Sequence, residues 1–286
     1  MSFSHRLTEA VKSKGNAVLV GLDPRYESLP DTIKTGNAAE SCERFCREII
    51  DIVSPLVPGV KPQAAFFEQY GPAGMIALER IIRYAKSKGL IVIFDGKRND
   101  IASTAEAYAA GILGEKSAWG ADALTVSPYL GSDSIDPFVK VALERDAGIF
   151  VLVKTSNPGS GMLQDLSAGG QPIYRHVADY VERLAEQTDG SVGAVVGAVW
   201  AKQISELRSV MPAAWFLVPG YGSQGGTAND VRSAFRPDAL GAVINNSRGI
   251  IFAYQKTECS RWQDAVEAAA KKMIEELAAA EHTRTG

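Results

Sequence analysis

The chain has 286 residues, 46% hydrophobic and 22% charged, with a formal net charge of −3; this is an ordinary composition for a globular enzyme and offers no basic surface to nucleic acid. Three cysteines are an odd, low count that argues against a disulfide framework and fits a reducing cytoplasm. No apolar run approaches the ~18 residues of a spanning helix, and the polar, amphipathic stretch from Met1 to Gly15 lacks the apolar centre of an export signal, so small molecules rather than membranes are the expected partners.

Along the chain, apolar and mostly β-rich runs alternate with helical patterns. Residues 17–22 read as a strand and 41–53 as a helix, then 59–61 and 71–85, 90–94 and 101–118, 121–126 and 134–144. The alternation continues with 148–153 and 173–187, 192–199 and 201–210, 215–218 and 229–235, and finally 241–244 and 262–278. Cys42 and Cys46 share the apolar face of the first of these helices with Phe45, Ile49, Ile50 and Val53, which marks them as core. Eight strand-helix units predict a (β/α)8 TIM barrel, one domain over 1–286, because every parallel connection needs a crossover. An open doubly wound sheet is the alternative, but Gly21-Leu22-Asp23-Pro24-Arg25 stands where a dinucleotide-binding version needs G-x-G-x-x-G. The glycine-flanked segment 158–171, after the fifth strand, is expected to be an active-site lid.

In such barrels the loops at the carboxyl ends of the strands build the site. Those ends here carry Asp23, Lys61, Asp95 with Lys97, Ser127, Thr155 with Ser156, Pro219-Gly220, and Asn245-Asn246-Ser247-Arg248. In Phe94-Asp95-Gly96-Lys97-Arg98-Asn99-Asp100, extended backbone would point Asp95 and Lys97 the same way, so that their heads meet. Asp100 also suits the N-cap of the helix that follows. After the last two strands, a glycine-rich stretch containing Gln224 and the Ser247-Arg248-Gly249 turn suit a phosphate, because glycines admit backbone amides and Arg248 offers a charged fork. His5, His176 and His282 are too scattered for a histidine metal site.

These residues together resemble the orotidine 5'-phosphate decarboxylase family, in its longer bacterial form. The family's D-x-K-x-x-D and I-x-x-T motifs are matched by Asp95, Lys97, Asp100, Ile101 and Thr104. The resemblance implies decarboxylation of orotidine 5'-phosphate to UMP and CO2, the last step of UMP synthesis, without cofactor or metal. It implies catalytic roles for Lys97, Asp95, Lys61 and Asp100, a ribose contact at Asp23, a pyrimidine contact at Ser156 and phosphate contacts at Gln224 and Arg248, with Ser247 beside them. It also implies a homodimer with shared active sites, Asp100 and Thr104 coming from the neighbouring subunit. Competing readings are a Mg²⁺-dependent sugar-phosphate decarboxylase of the same superfamily, a Schiff-base aldolase using Lys97 or Lys154, and a nucleotide-binding barrel without catalysis.

Overall fold

The computed structural model describes residues 1–256 and 261–282. Its strands are β1 Val18–Leu22, β2 Gly59–Pro62, β3 Ile91–Arg98, β4 Ala123–Val126, β5 Gly148–Lys154, β6 Ser167–Ala168, β7 Gln171–Pro172, β8 Val192–Val196, β9 Phe216–Pro219 and β10 Ala242–Asn246. Eight of them close a parallel barrel in the order β1-β10-β9-β8-β5-β4-β3-β2, while β6 and β7 form a separate antiparallel pair. Closure runs through β1, whose Val18 pairs with Ile244 and whose Leu19 pairs with Gly59. All eight expected strands are present, and the fold is the (β/α)8 barrel that the alternation predicts.

Both faces of the barrel strands are covered, so β1, β4 and β8 are buried at every residue, as parallel sheets require. Helix Ala38–Val53 is capped by Asn37, whose side chain accepts from Glu40 N, and it buries Cys42, Phe45, Cys46, Ile49, Ile50 and Val53. Each such apolar side chain contributes about 1.5–3 kcal/mol. Cys42 and Cys46 are free thiols in this core; Cys259 lies outside the described residues. The amphipathic amino-terminal stretch is helix Phe3–Lys14, which sets Phe3 edge-on to Phe150 with ring centroids 6.0 Å apart, beside Gly148 at the start of β5. Among the described residues no helix is long and apolar enough to cross a membrane.

Among the boundaries that differ from expectation, three have a clear local reason. β3 runs on to Arg98 rather than ending at Phe94, because its pairing with β4 shifts register between Phe94 and Arg98. The helix expected over 101–118 is Ala102–Ile112; Leu113 and Ala121 then bridge across a loop that turns on left-handed Gly114 and Gly120. The helix expected over 229–235 is the single turn Ala228–Val231, held by a Thr227–Asp230 capping box, followed by a 3-10 turn at Arg232–Ala234. Segment 158–172 carries structure of its own: a 3-10 turn Pro158–Ser160, a helical turn Gly161–Gln164, and the β6–β7 pair.

Candidate active site

The carboxyl ends of β2, β3 and β4 meet at one carboxylate. Asp95, 6% exposed, accepts from Lys61 Nζ of β2 on Oδ2, from Lys97 Nζ at 2.7 Å on Oδ1, and from Thr125 Oγ1 of β4 at 2.9 Å on Oδ1. The Thr125 hydroxyl has one proton, given to Asp95, and it accepts the backbone N–H of Lys97 at 2.9 Å. Asp95 and Lys97 do meet, but not on regular extended backbone: Lys97 has φ +44°, a left-handed conformation that is rare for a residue with a side chain. The register shift in β3 and the Thr125 contact hold it there, and strain of this kind clusters at functional sites. Lys97 keeps nearly half its side chain exposed on the cavity side, whereas Lys61 is buried.

Electrostatics follow from this packing. Burial pushes the Asp95 carboxyl up, but the Lys61 and Lys97 ammoniums outweigh it and hold Asp95 well below the usual carboxylate range. Burial likewise pushes Lys61 down, and Asp95 with Asp23 reverses this so that its ammonium is favoured. Asp23, at the end of β1, goes the other way: burial dominates and raises it, with the Lys61 ammonium opposing. Its Oδ1 is buried without a hydrogen-bond partner among the described residues, as are Asn245 Oδ1 and Ser247 Oγ. All three line one cavity, where the Asp23 and Asn245 oxygens can accept and the Ser247 hydroxyl can donate or accept. Gly21 is required here, since a Cβ would stand 2.6 Å from Ser247 Cβ.

The cavity above Asp95 measures about 520 Å³, a size suited to a small-molecule ligand. It brings together Asp23, Lys61, Asp95, Lys97, Ser156, Gln224, Ser247 and Arg248 from the ends of six strands, β1, β2, β3, β5, β9 and β10. Arg248 Nη2 donates to Ser223 Oγ at 3.3 Å, across to the loop after β9. That loop turns on Gly220, Gly222 and Gly225, all at positive φ, and Tyr221 OH donates to Glu276 of helix Trp262–His282. Asp100, Thr104 and Ser127 do not line the cavity. The N-cap position belongs to Ile101 rather than Asp100, whose Oδ1 accepts the Ile101 N–H at 2.8 Å. Ala102 at φ +46° makes the turn into the helix, and Thr104 lies exposed.

Some lining residues escape a reading of strand ends. Thr125 lies inside the β4 run, and its only signal is being the polar member of Ala-Leu-Thr-Val. Gln63 and Gln164 also line the cavity; Gln164 belongs to the segment after β5 and carries no motif. Lys154 is fully buried, ion-paired to Asp165 at 2.5 Å and absent from the lining. The Schiff-base alternative therefore has each of its two lysines paired to a carboxylate, Lys97 to Asp95 and Lys154 to Asp165. His5 and His176 stay far apart in sequence, His176 contacting Gln171 and Ala168; the side chain of His282 lies outside the described residues.

Comparison with known proteins gives one consistent answer. A family model described as orotidine 5'-phosphate decarboxylase / HUMPS family matches residues 16–261. A Rhodopirellula baltica protein named orotidine 5'-phosphate decarboxylase is 53% identical over 299 residues, covering 97% of this chain and 99% of its own. A Caldicellulosiruptor bescii protein of the same name is 39% identical, with coverage of 98% and 99%. Among solved structures, Leishmania donovani OMP decarboxylase superposes with a TM-score of 0.82 at 36% identity, covering 99% of both chains. A Streptomyces avermitilis structure described as a putative orotidine 5'-phosphate decarboxylase gives 0.85 at 35% identity, covering 98% of this chain and 96% of that one.

Proposed function

The chain belongs to the orotidine 5'-phosphate decarboxylase / HUMPS family, and from that premise we propose how its barrel mouth works. It decarboxylates orotidine 5'-phosphate to UMP and CO2 in pyrimidine nucleotide synthesis. The observation that carries the mechanism is the buried Asp95 carboxylate held between Lys61 and Lys97, with Lys97 open to the cavity.

The bond from ring carbon six to the carboxylate breaks, its electron pair stays on carbon six, and CO2 leaves. Lys97 supplies the proton that forms the new C–H bond and recovers one from water. Its ammonium also stabilises the charge as it develops, which lowers the barrier rather than merely tightening binding. Asp95, with its acidity raised by two ammoniums, stays ionised and faces the substrate carboxylate. The repulsion falls as CO2 departs, while the charge left on carbon six moves toward Lys97. Lys61 balances Asp95, and Thr125 sets the orientation of both Asp95 and the Lys97 backbone.

The rest of the cavity positions the nucleotide. Asp23 Oδ1 accepts from the ribose, Ser156 meets the pyrimidine, and Gln224 and Arg248 hold the phosphate with Ser247 alongside. Segment 158–171 acts as the lid over this site. Asp100 and Thr104 come from a second copy of the chain: both lie outside their own cavity, on a surface where Ile101 is 54% and Tyr108 40% exposed. The working unit is then a homodimer with shared sites. Free, buried Cys42 and Cys46 fit a reducing cytoplasm. A Mg²⁺-dependent site would use Asp95 as a ligand, yet Asp95 already accepts from the Lys61 and Lys97 ammoniums, two positive charges that disfavour a third cation there.

The test is direct. Purified protein should convert orotidine 5'-phosphate to equal amounts of UMP and CO2, and Lys97→Ala should bind UMP while releasing no CO2 above background. Retention of turnover by Lys97→Ala would remove Lys97 from the chemistry.

A further inference from the structure

The segment after β5 is tied down by a cluster that the mechanism above does not use. Lys154 ends β5 and is fully buried, its ammonium 4.6 Å from the Trp200 ring and 5.5 Å from that of Tyr174. It donates to Asp165 Oδ1 at 2.5 Å, eleven positions further along the chain. Asp165 folds back over Gly161, where a Cβ would stand 2.8 Å from its Oδ2. A buried ammonium needs such a partner, because removing it from water unpaired is costly. The ion pair therefore fixes where the turn carrying residues 161–165 sits.

Gln164 is the residue this turn delivers. Its Oε1 accepts the Thr155 backbone N–H at 3.0 Å and its Nε2 donates to Thr155 Oγ1 at 2.8 Å. Thr155 Oγ1 in turn donates to Asn157 Oδ1 at 2.7 Å, and Trp200 Nε1 donates to Thr155 O at 2.8 Å. A backbone N–H can only donate, so the orientation of the Gln164 amide is settled. One of its two N–H groups is used on Thr155; the other has no partner among the described residues, and the side chain lines the cavity next to Ser156.

We propose that Gln164 is a specificity-determining residue that donates to a ring oxygen of the bound pyrimidine, and that Lys154, through Asp165, is the positioning residue that holds it there. This rests on the reading of the cavity as the orotidine 5'-phosphate site. An N–H donor from the turn that Thr155 holds selects a ring that presents carbonyl oxygen, whereas Arg248, on the loop after β10, is the group for the phosphate. The two ends can therefore be probed separately, with UMP for the whole site and ribose 5-phosphate for the sugar-phosphate end alone.

The experiment measures the affinity of both ligands for wild type, Gln164→Glu, Lys154→Met and the double variant. Gln164→Glu keeps an acceptor for the Thr155 N–H but has no N–H to offer. Lys154→Met fills the space beneath Trp200 and leaves the half-exposed Asp165 to water. Each single variant should weaken UMP by about 2- to 10-fold, the worth of one neutral hydrogen bond, with ribose 5-phosphate unchanged. The double variant should be no worse than the weaker-binding single one, since both remove the same contact. Unchanged UMP affinity in Gln164→Glu overturns the proposal, and so does equal weakening of both ligands in Lys154→Met. Wild type that binds ribose 5-phosphate but gains nothing from the base of UMP would instead remove the reading of the cavity itself.

Discussion

Replacing Thr125 with valine keeps the shape of a fully buried side chain and removes only its hydroxyl. That hydroxyl donates to Asp95 Oδ1 at 2.9 Å and accepts the Lys97 N–H at 2.9 Å. The bond to an ionised carboxylate is worth about 1.5–3 kcal/mol and the one to a backbone N–H about 0.5–1.5 kcal/mol. Thr125→Val should therefore lower unfolding stability by roughly 2–4.5 kcal/mol at most, since the two bonds share one oxygen and are not independent. Activity should fall further than stability implies. Lys97 is held at φ +44°, and once its N–H loses Thr125 the backbone relaxes and moves the ammonium off carbon six. A displacement near 1 Å in a reacting group costs about 10²-fold in rate. Urea melts give the first quantity and the kcat for UMP formation the second. Thr125→Ser restores the hydroxyl and should recover both. A valine variant that is destabilised but keeps kcat within a factor of about two of wild type, less than 1 kcal/mol of barrier, would refute the claim that Thr125 positions Lys97.

Arg248→Ala removes a charge-assisted contact to phosphate and should lower kcat/KM by about 10- to 100-fold, corresponding to roughly 1.5–3 kcal/mol, a far smaller loss than that of Lys97→Ala in the same assay. Asp23→Asn should raise the melting temperature at neutral pH while lowering activity: burial raises the folded-state pKa of Asp23, so its contribution to stability is full below the unfolded-state value and is lost as pH rises through the folded one. The gain from asparagine should accordingly shrink as the melting buffer is acidified, and a gain that grows on acidification would contradict the assignment. Lys97→Ala and Asp100→Asn should each be nearly inactive alone yet regain activity when unfolded and refolded together, because one site of the heterodimer joins the intact Lys97 of one copy to the intact Asp100 of the other. Lys97→Ala mixed with Asp95→Asn is the control that should stay inactive, and a first mixture as inactive as its control would return Asp100 to its own chain.

The barrel was legible because eight apolar runs are separated by helical patterns, a local signal that survives folding. The ring of polar strand ends was legible for the same reason: once β1, β2 and β10 are located, Asp23, Lys61 and Ser247-Arg248 must emerge on one side. The details that tune the site depend on contacts between distant residues and leave no local trace. A lysine at positive φ is forced at position 97 by the β3–β4 register shift and by Thr125, 28 positions away. Thr125 itself reads as part of a strand interior, and which way it faces is settled only when β3 and β4 pair. The Asp100 turn is misjudged locally because Ala102, not Asp100, supplies the unusual backbone, leaving Ile101 as the cap residue. The Lys154–Asp165 pair crosses a loop with no periodicity to indicate it. Roles such as the ribose, pyrimidine and phosphate contacts came from resemblance, since spacing alone says only that these groups converge.

The central claim is that protein side chains alone, with Lys97 as proton donor beside Asp95, carry out the decarboxylation. Turnover of orotidine 5'-phosphate by enzyme exhaustively treated with EDTA tests it most directly. The rate of UMP formation should equal that of untreated enzyme and should not rise when Mg²⁺ is restored, whereas activity that disappears with the chelator and returns with Mg²⁺ would contradict the account.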